Sequence, residues 1–494
     1  MLRRLALLCF LLTLVPSAST QQASIAYRFE YLKPGDDFVH ITLNLSPAIP
    51  APAAFVIPRN YPGGYSLVSY DSFVEQANAV SGKGATLPMQ KAADGPRWNI
   101  GRQGETISRI EYQVNVARME RELLSAVDAS KIRSRYLGAL GYSVFGYVDG
   151  MEGRPVNLRI DAPPDWPVLS SLAPDVSHTS SVTVHAGTYY ELADSEVLMG
   201  PDLQVRRIPG KIGLVMAVYA EAEEDAALEA GIAREALDSV QAYFGTTPFH
   251  QYTVQLELLR PLPGHEYDFS QEHLDSGTFS LSVSRALTQN SPPRTRQATL
   301  FNYAHHMVHC WIPKRAYGVG YMPFTWELPP VIDSIWFNEG FGRYAAIQAV
   351  ADSMPASDGE SFRQRNLANL RRILDEAPAF IQEMPLLVLS REASFMYERD
   401  FRIGENVFAR GGLMAAEIDD RIKEKTEDQK SLRDGLRFLL QRSEASSKPF
   451  QTEELAGILA GATGVDVQDI FDRWMNPHPR AAAGPHQEAQ KPNN

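Results

Sequence analysis

His305 and His309 have the clearest capacity for chemistry. They stand four apart in Asn302-Tyr303-Ala304-His305-His306-Met307-Val308-His309-Cys310-Trp311. On a helix that spacing projects both rings from one face, where they can share one metal ion. Leu300, Ala304, Met307, Val308 and Trp311 recur at three-and-four intervals, so a helix is expected, ended by Pro313. A carboxylate follows in Ile335-Trp336-Phe337-Asn338-Glu339-Gly340-Phe341, the start of a second apolar helix. Two imidazoles and one carboxylate are the protein ligands of a catalytic zinc, with a fourth position left for water. A histidine pair alone would favour a structural role, but Glu339 supplies the third ligand type and shifts the reading to zinc.

The next residue departs from that pattern. A zinc peptidase with this helix places Glu after the first histidine, as the base for the metal-bound water; this chain has His306. About a hundred degrees round the helix from His305, His306 is expected outside the metal cage. An imidazole can accept a proton near neutral pH, yet as a cation it is repelled by zinc. Its plainer role is a hydrogen-bonding spacer.

The elements that must position these residues fall into two kinds. From about Ala23 to Val205 the chain reads as strands: Val39 to Leu45 and Ser181 to His185 alternate, and Pro/Gly-rich turns separate the runs. Pro58-Arg59-Asn60-Tyr61-Pro62-Gly63-Gly64-Tyr65 is expected as a loop. A helix from Glu223 to Phe244 closed by Gly245, a strand from Tyr252 to Leu258, and helices near Ser361 to Asp375 and Gly404 to Lys425 follow. Ser431 with Asp434 reads as a capping box. The pattern predicts an α+β multidomain chain, with an N-terminal β-sandwich-like domain over 21–205 and a zinc domain over 206–380. A helical domain over 381–476 and a disordered polar tail over 477–494 complete it.

Met1-Leu2-Arg3-Arg4, the apolar run Leu5 to Val15 and the small residues Ser17 to Thr20 read as a signal peptide over 1–20. The run is too short to span a bilayer, and no later stretch is long enough. The expectation is a secreted or periplasmic protein. Of the two cysteines, Cys9 lies in the leader, so Cys310 is expected as a lone, buried, apolar thiol. The formal charge is −12, or −14 without Arg3 and Arg4, with no basic stripe, which argues against a nucleic-acid partner. The oligomeric state is not legible.

On the residues His305 to Trp311 with Lys314-Arg315, Trp336 to Phe341, Pro58 to Tyr65, Tyr190 to Ser195 and Phe408 to Leu413, the chain resembles the glycyl aminopeptidase family of gluzincin metallopeptidases, metallopeptidase family 61. The resemblance runs from about Ala23 to Trp474. It implies a β domain, a thermolysin-like catalytic domain and a helical C-terminal part, with His305, His309 and Glu339 as zinc ligands. Gln271-Glu272-His273 is similar to the family's Glu-His element, which implies that Glu272 holds a substrate's terminal amine, with His273 beside it. Phe269 and Ser270 replace the usual preceding glycines, and an exposed loop carboxylate is the alternative for Glu272. The partners implied are peptide or protein N-termini. The PDZ domain that often follows the helical part is not expected.

Two catalytic positions are degenerate under this resemblance. His306 stands at the general base. Phe408, without a hydroxyl, stands at the tyrosine that would donate to an oxyanion. Losing a base costs on the order of 10²- to 10⁴-fold in rate, and losing an oxyanion donor roughly 10²- to 10³-fold. Tyr397 or Tyr303 could offer a substitute hydroxyl on sequence nearness alone. The leading expectation is a zinc-binding homologue, weakly active or inactive, that captures peptide ends. An aminopeptidase with a substitute base and a metal-free structural or partner-binding protein are the alternatives.

Overall fold

The structure is a computed structural model that describes residues 24–124, 127–177 and 180–476. The expected leader, with Cys9, and the expected tail over 477–494 lie outside the described residues.

Three sheets form the N-terminal part. The largest has seven strands, centred on Ser24–Glu30, Phe38–Pro50 and Thr106–Asn115. In Phe38–Pro50 the residues Val39, Ile41, Leu43 and Leu45 are buried while their neighbours face out. The expected alternation thus becomes one apolar face and one wet face. Sheets of five and four strands complete this part, and their apolar faces share one core containing Phe29, Phe55, Tyr112 and Phe145. Pro58 to Tyr65 is a loop, as its composition predicts.

A mixed five-stranded sheet follows, in the order Gln204–Ile208, Gly213–Ala220, Gln251–Leu259, Ser276–Ser282, Asp268–Glu272. Gln251–Leu259 lies between two parallel neighbours and is buried from Tyr252 onward, the environment that favours a continuous apolar run. The helix Ala226–Phe244 starts three residues later than expected. Asp225 caps it by accepting from the Ala227 and Leu228 amides, and Gly245 closes it at φ +73°.

The histidine helix spans Pro293–Val308, shorter than the apolar spacing predicts. His309 is its C-cap, still at helical φ −62° and ψ −21°, so the four-residue relation to His305 survives. Tightened bonds from the Cys310 amide to Met307 O and from Trp311 to Val308 O turn the chain there. Trp311 then stacks on Phe244 with ring centroids 5.3 Å apart.

Glu339 sits in a single π-helical turn, Trp336–Phe341, that runs into the helix Gly342–Asp352. Such wide turns re-aim side chains at functional sites. A close helix crossing holds it. A Cβ on Gly340 would lie 2.4 Å from Gly411 Cα, and one on Gly411 would lie 2.0 Å from Trp336 O. The glycines of Phe401–Lys425 let that helix touch the turn carrying Glu339. The remaining chain is helical, including Ala356–Glu376 and Leu432–Ser446, whose capping box from Ser431 and Asp434 is present. Among the described residues no helix is long and apolar enough to cross a membrane.

Candidate active site

The histidine helix and the π turn bring His305, His309 and Glu339 together, with one donor atom of each within 4.8 Å of the others. Glu339 Oε2 lies 3.5 Å from His309 Nε2 and 4.0 Å from His305 Nε2. A tetrahedral zinc with bonds near 2.0–2.2 Å separates its ligand atoms by roughly 3.4 Å, so the three side chains fit such an ion. His309 Nδ1 lies 3.1 Å from Ile312 O. Its proton on that nitrogen leaves the Nε2 lone pair for a metal. All three residues are buried. Burial, followed by the neighbouring His309, His306 and Arg343, holds the His305 imidazole well below its ordinary pKa, which keeps it neutral, the form that ligates.

A cavity of about 770 Å³ opens over these atoms. Its walls include Tyr65, Glu272, His306, Arg343, Tyr397 and Phe408. Glu272 is the last residue of the edge strand Asp268–Glu272 and is buried, so the exposed-loop alternative does not hold. Burial alone would raise its carboxyl, but His309, His306 and Lys314 pull it well below the carboxylate range. Glu272 Oε1 is buried without a hydrogen-bond partner. An anionic oxygen left without a partner beside a cavity suits an ammonium group.

His306 lies outside the three-residue cluster, as its helical angle predicts. Its Nδ1 is 3.6 Å from Glu272 Oε2, and its ring meets Phe279 edge-on. Phe408 lies 5.6 Å from the His305 ring and offers only carbon. Tyr303 is committed elsewhere, donating to Glu229 Oε2 at 2.8 Å. Tyr397 lines the cavity, its ring 5.3 Å from Tyr65 and 6.0 Å from Phe408.

His273 is placed differently from the substrate-binding role assigned beside Glu272. It is fully buried, with Nδ1 3.0 Å from Asp194 Oδ1 and Nε2 2.9 Å from Glu196 Oε1. Burial opposes its charge, but Glu196 and Asp194 outweigh it and push the pKa up to about 10. His273 therefore ties the β part to the mixed sheet and does not line the cavity. Cys310 is buried and donates its S–H to His273 O, and burial pushes the thiol pKa far up, as an inert residue requires.

The residues that sequence reasoning missed come from the Pro/Gly loop. Tyr65 donates to Glu339 Oε1 at 2.9 Å and accepts from Asn338 Nδ2 at 3.3 Å. Tyr61 donates to Glu398 at 2.5 Å, while Lys314 and Gln271 both donate to Pro62 O. Gly63, at φ +91°, lies so close to Glu272 Oε1 that a Cβ would stand 2.3 Å away. The loop is thus the roof of the cavity and a support for the third donor.

A mixed sheet with this histidine helix, this carboxylate turn and a β part roofing the cavity defines a metallopeptidase-like molecule. Residues 26–201 match the family model described as the peptidase M61 N-terminal domain. No curated protein matches the sequence. An aminopeptidase N family protein from Idiomarina loihiensis superposes with TM-score 0.79 at 18% identity, over 92% of this chain and 76% of that one. A mutant M1 zinc metallopeptidase from Deinococcus radiodurans matches with TM-score 0.53 at 16% identity, over 93% and 97%. The same enzyme bound to a Tyr-Ser-Ala substrate matches with TM-score 0.50 at 15% identity, over 92% and 95%. The family model thus matches the N-terminal part, and at these identities the solved structures share the fold over nearly the whole chain.

Proposed function

We propose that this protein holds one zinc ion through His305, His309 and Glu339 and captures the amine ends of peptides, hydrolysing them weakly or not at all. The observation that carries the reading is the convergence of these three donor atoms within 4.8 Å, beside an imidazole and a phenyl ring where a base and an oxyanion donor would stand. Zinc bound there would supply Lewis-acid polarisation of a peptide carbonyl. Of the chain's own residues, Glu272 would hold the terminal ammonium and Tyr65 would steady Glu339. His306 and Phe408 would leave proton transfer and oxyanion stabilisation unserved. In this reading 21–205 roofs the cavity, 206–380 carries the ligands, 381–476 contributes Phe408, and the leader exports the chain to the periplasm or the medium.

The Tyr-Ser-Ala complex of the Deinococcus radiodurans enzyme supports a peptide as the ligand class. An active aminopeptidase is the second reading, favoured by the Tyr397 ring in the cavity wall and by His306 3.6 Å from Glu272. Zinc-loaded protein incubated with short unblocked peptides separates the two. The first reading expects peptide binding with turnover near background. Robust release of N-terminal residues, abolished by a chelator, would establish the second instead.

A further inference from the structure

The cavity wall carries a guanidinium with no ion-pair partner among the described residues. Arg343 stands four residues after Glu339 and lines the same cavity. Its guanidinium lies 5.0 Å from the Phe301 ring centre and 5.5 Å from that of Phe408. Among the described residues it makes no hydrogen bond or ion pair. Glu339 and Glu405 bear on it electrostatically without coming within ion-pair distance.

The other arginines nearby have acceptors. Arg285, also on the cavity wall, pairs with Asp268 at 3.1 Å. Arg410, fully buried on the Phe408 helix, donates to the carbonyls of Met384, Ile381 and Gln382 at 2.6–2.9 Å. The fold therefore supplies acceptors where an arginine is structural. Arg343 has none, lies against two rings and lines the cavity.

Five donors in a planar fork match a carboxylate in two-pronged fashion. Stacking against rings fixes the plane without using those donors. The same cavity is lined by Glu272, whose Oε1 has no hydrogen-bond partner and suits an ammonium. Glu339 lies within electrostatic reach of both Glu272 and Arg343. The cavity volume is that of a site for one small ligand.

We propose that Arg343 is a carboxylate-binding, specificity-determining residue of this cavity, so that the site selects short ligands with a free amine at one end and a carboxylate toward the other. This rests on the peptide-end reading given above. The carboxylate is either the C-terminus of a dipeptide or an acidic side chain near the N-terminus.

Calorimetric titration of the full-length, zinc-loaded protein tests it with three probes: alanyl-alanine, alanyl-alanine amide and the α-amide of alanyl-aspartate, whose side-chain carboxylate is free. The expected result is that at least one carboxylate-bearing probe binds about tenfold to a hundredfold more tightly than alanyl-alanine amide, and which one identifies the source. In Arg343→Gln, with zinc content as in the wild type, the probes should converge in affinity; Arg343→Lys should keep part of the preference, because charge remains without the fork. Equal affinity of all three probes for the wild-type protein would overturn the proposal and leave the peptide-end reading standing. Preference retained in Arg343→Gln would also overturn it. Failure of all three to bind would remove both.

Discussion

Tyr65 donates its hydroxyl to Glu339 Oε1 at 2.9 Å, although the two residues lie 274 positions apart. A loop of the β part thereby reaches the third donor of the candidate metal centre. Burial and the Glu339 carboxyl both raise the Tyr65 pKa well above its ordinary value, so the phenol keeps the proton it donates. Partners of this kind orient a ligand and tune its basicity.

Tyr65→Phe removes that donor and keeps the ring. Zinc affinity, read by competition with a chromogenic chelator, should fall about tenfold to a hundredfold. The thermal midpoint of the metal-free protein should move little, since one buried hydrogen bond contributes about 1 kcal/mol.

Gly63→Ala places a methyl where Glu272 Oε1 now sits 2.3 Å away, at a backbone φ of +91°. The roof must lift or Glu272 must turn. Urea unfolding should show a loss of about 1–3 kcal/mol, and the affinity for unblocked peptides should drop in the same variant.

His273 sets a pH dependence of stability. Its folded pKa of about 10 lies above the unfolded value near 6.5. The folded state binds the extra proton, so this contribution is complete below about pH 6.5 and is lost as pH rises toward 10. Urea midpoints should decline across that window. In His273→Gln the decline should flatten, on top of a lower overall stability caused by removing the cation between Asp194 and Glu196.

Much of the site is legible in the amino-acid sequence, for reasons that differ by residue. His305 and His309 are found because helical geometry converts a spacing of four into one face. Arg343 stands four after Glu339 and follows from the same rule, a signal that was available. The His309 cap, the π turn and the reach of Tyr65 depend on tertiary packing, above all on the contact between Gly340 and Gly411. No local periodicity encodes such a contact.

His306→Glu combined with Phe408→Tyr restores a carboxylate base and a hydroxyl to the cavity. Zinc-loaded double variant should release N-terminal residues from short peptides at least tenfold faster than the wild type. A variant that folds, binds zinc and gains nothing would mean that more than two residues separate this cavity from a working peptidase.

The most direct measurement is the zinc content of purified protein after loading and exhaustive dialysis, compared with His309→Ala. The account predicts about one equivalent in the wild type and almost none in the variant. Background zinc in the wild type, or an unchanged content in His309→Ala, would contradict it.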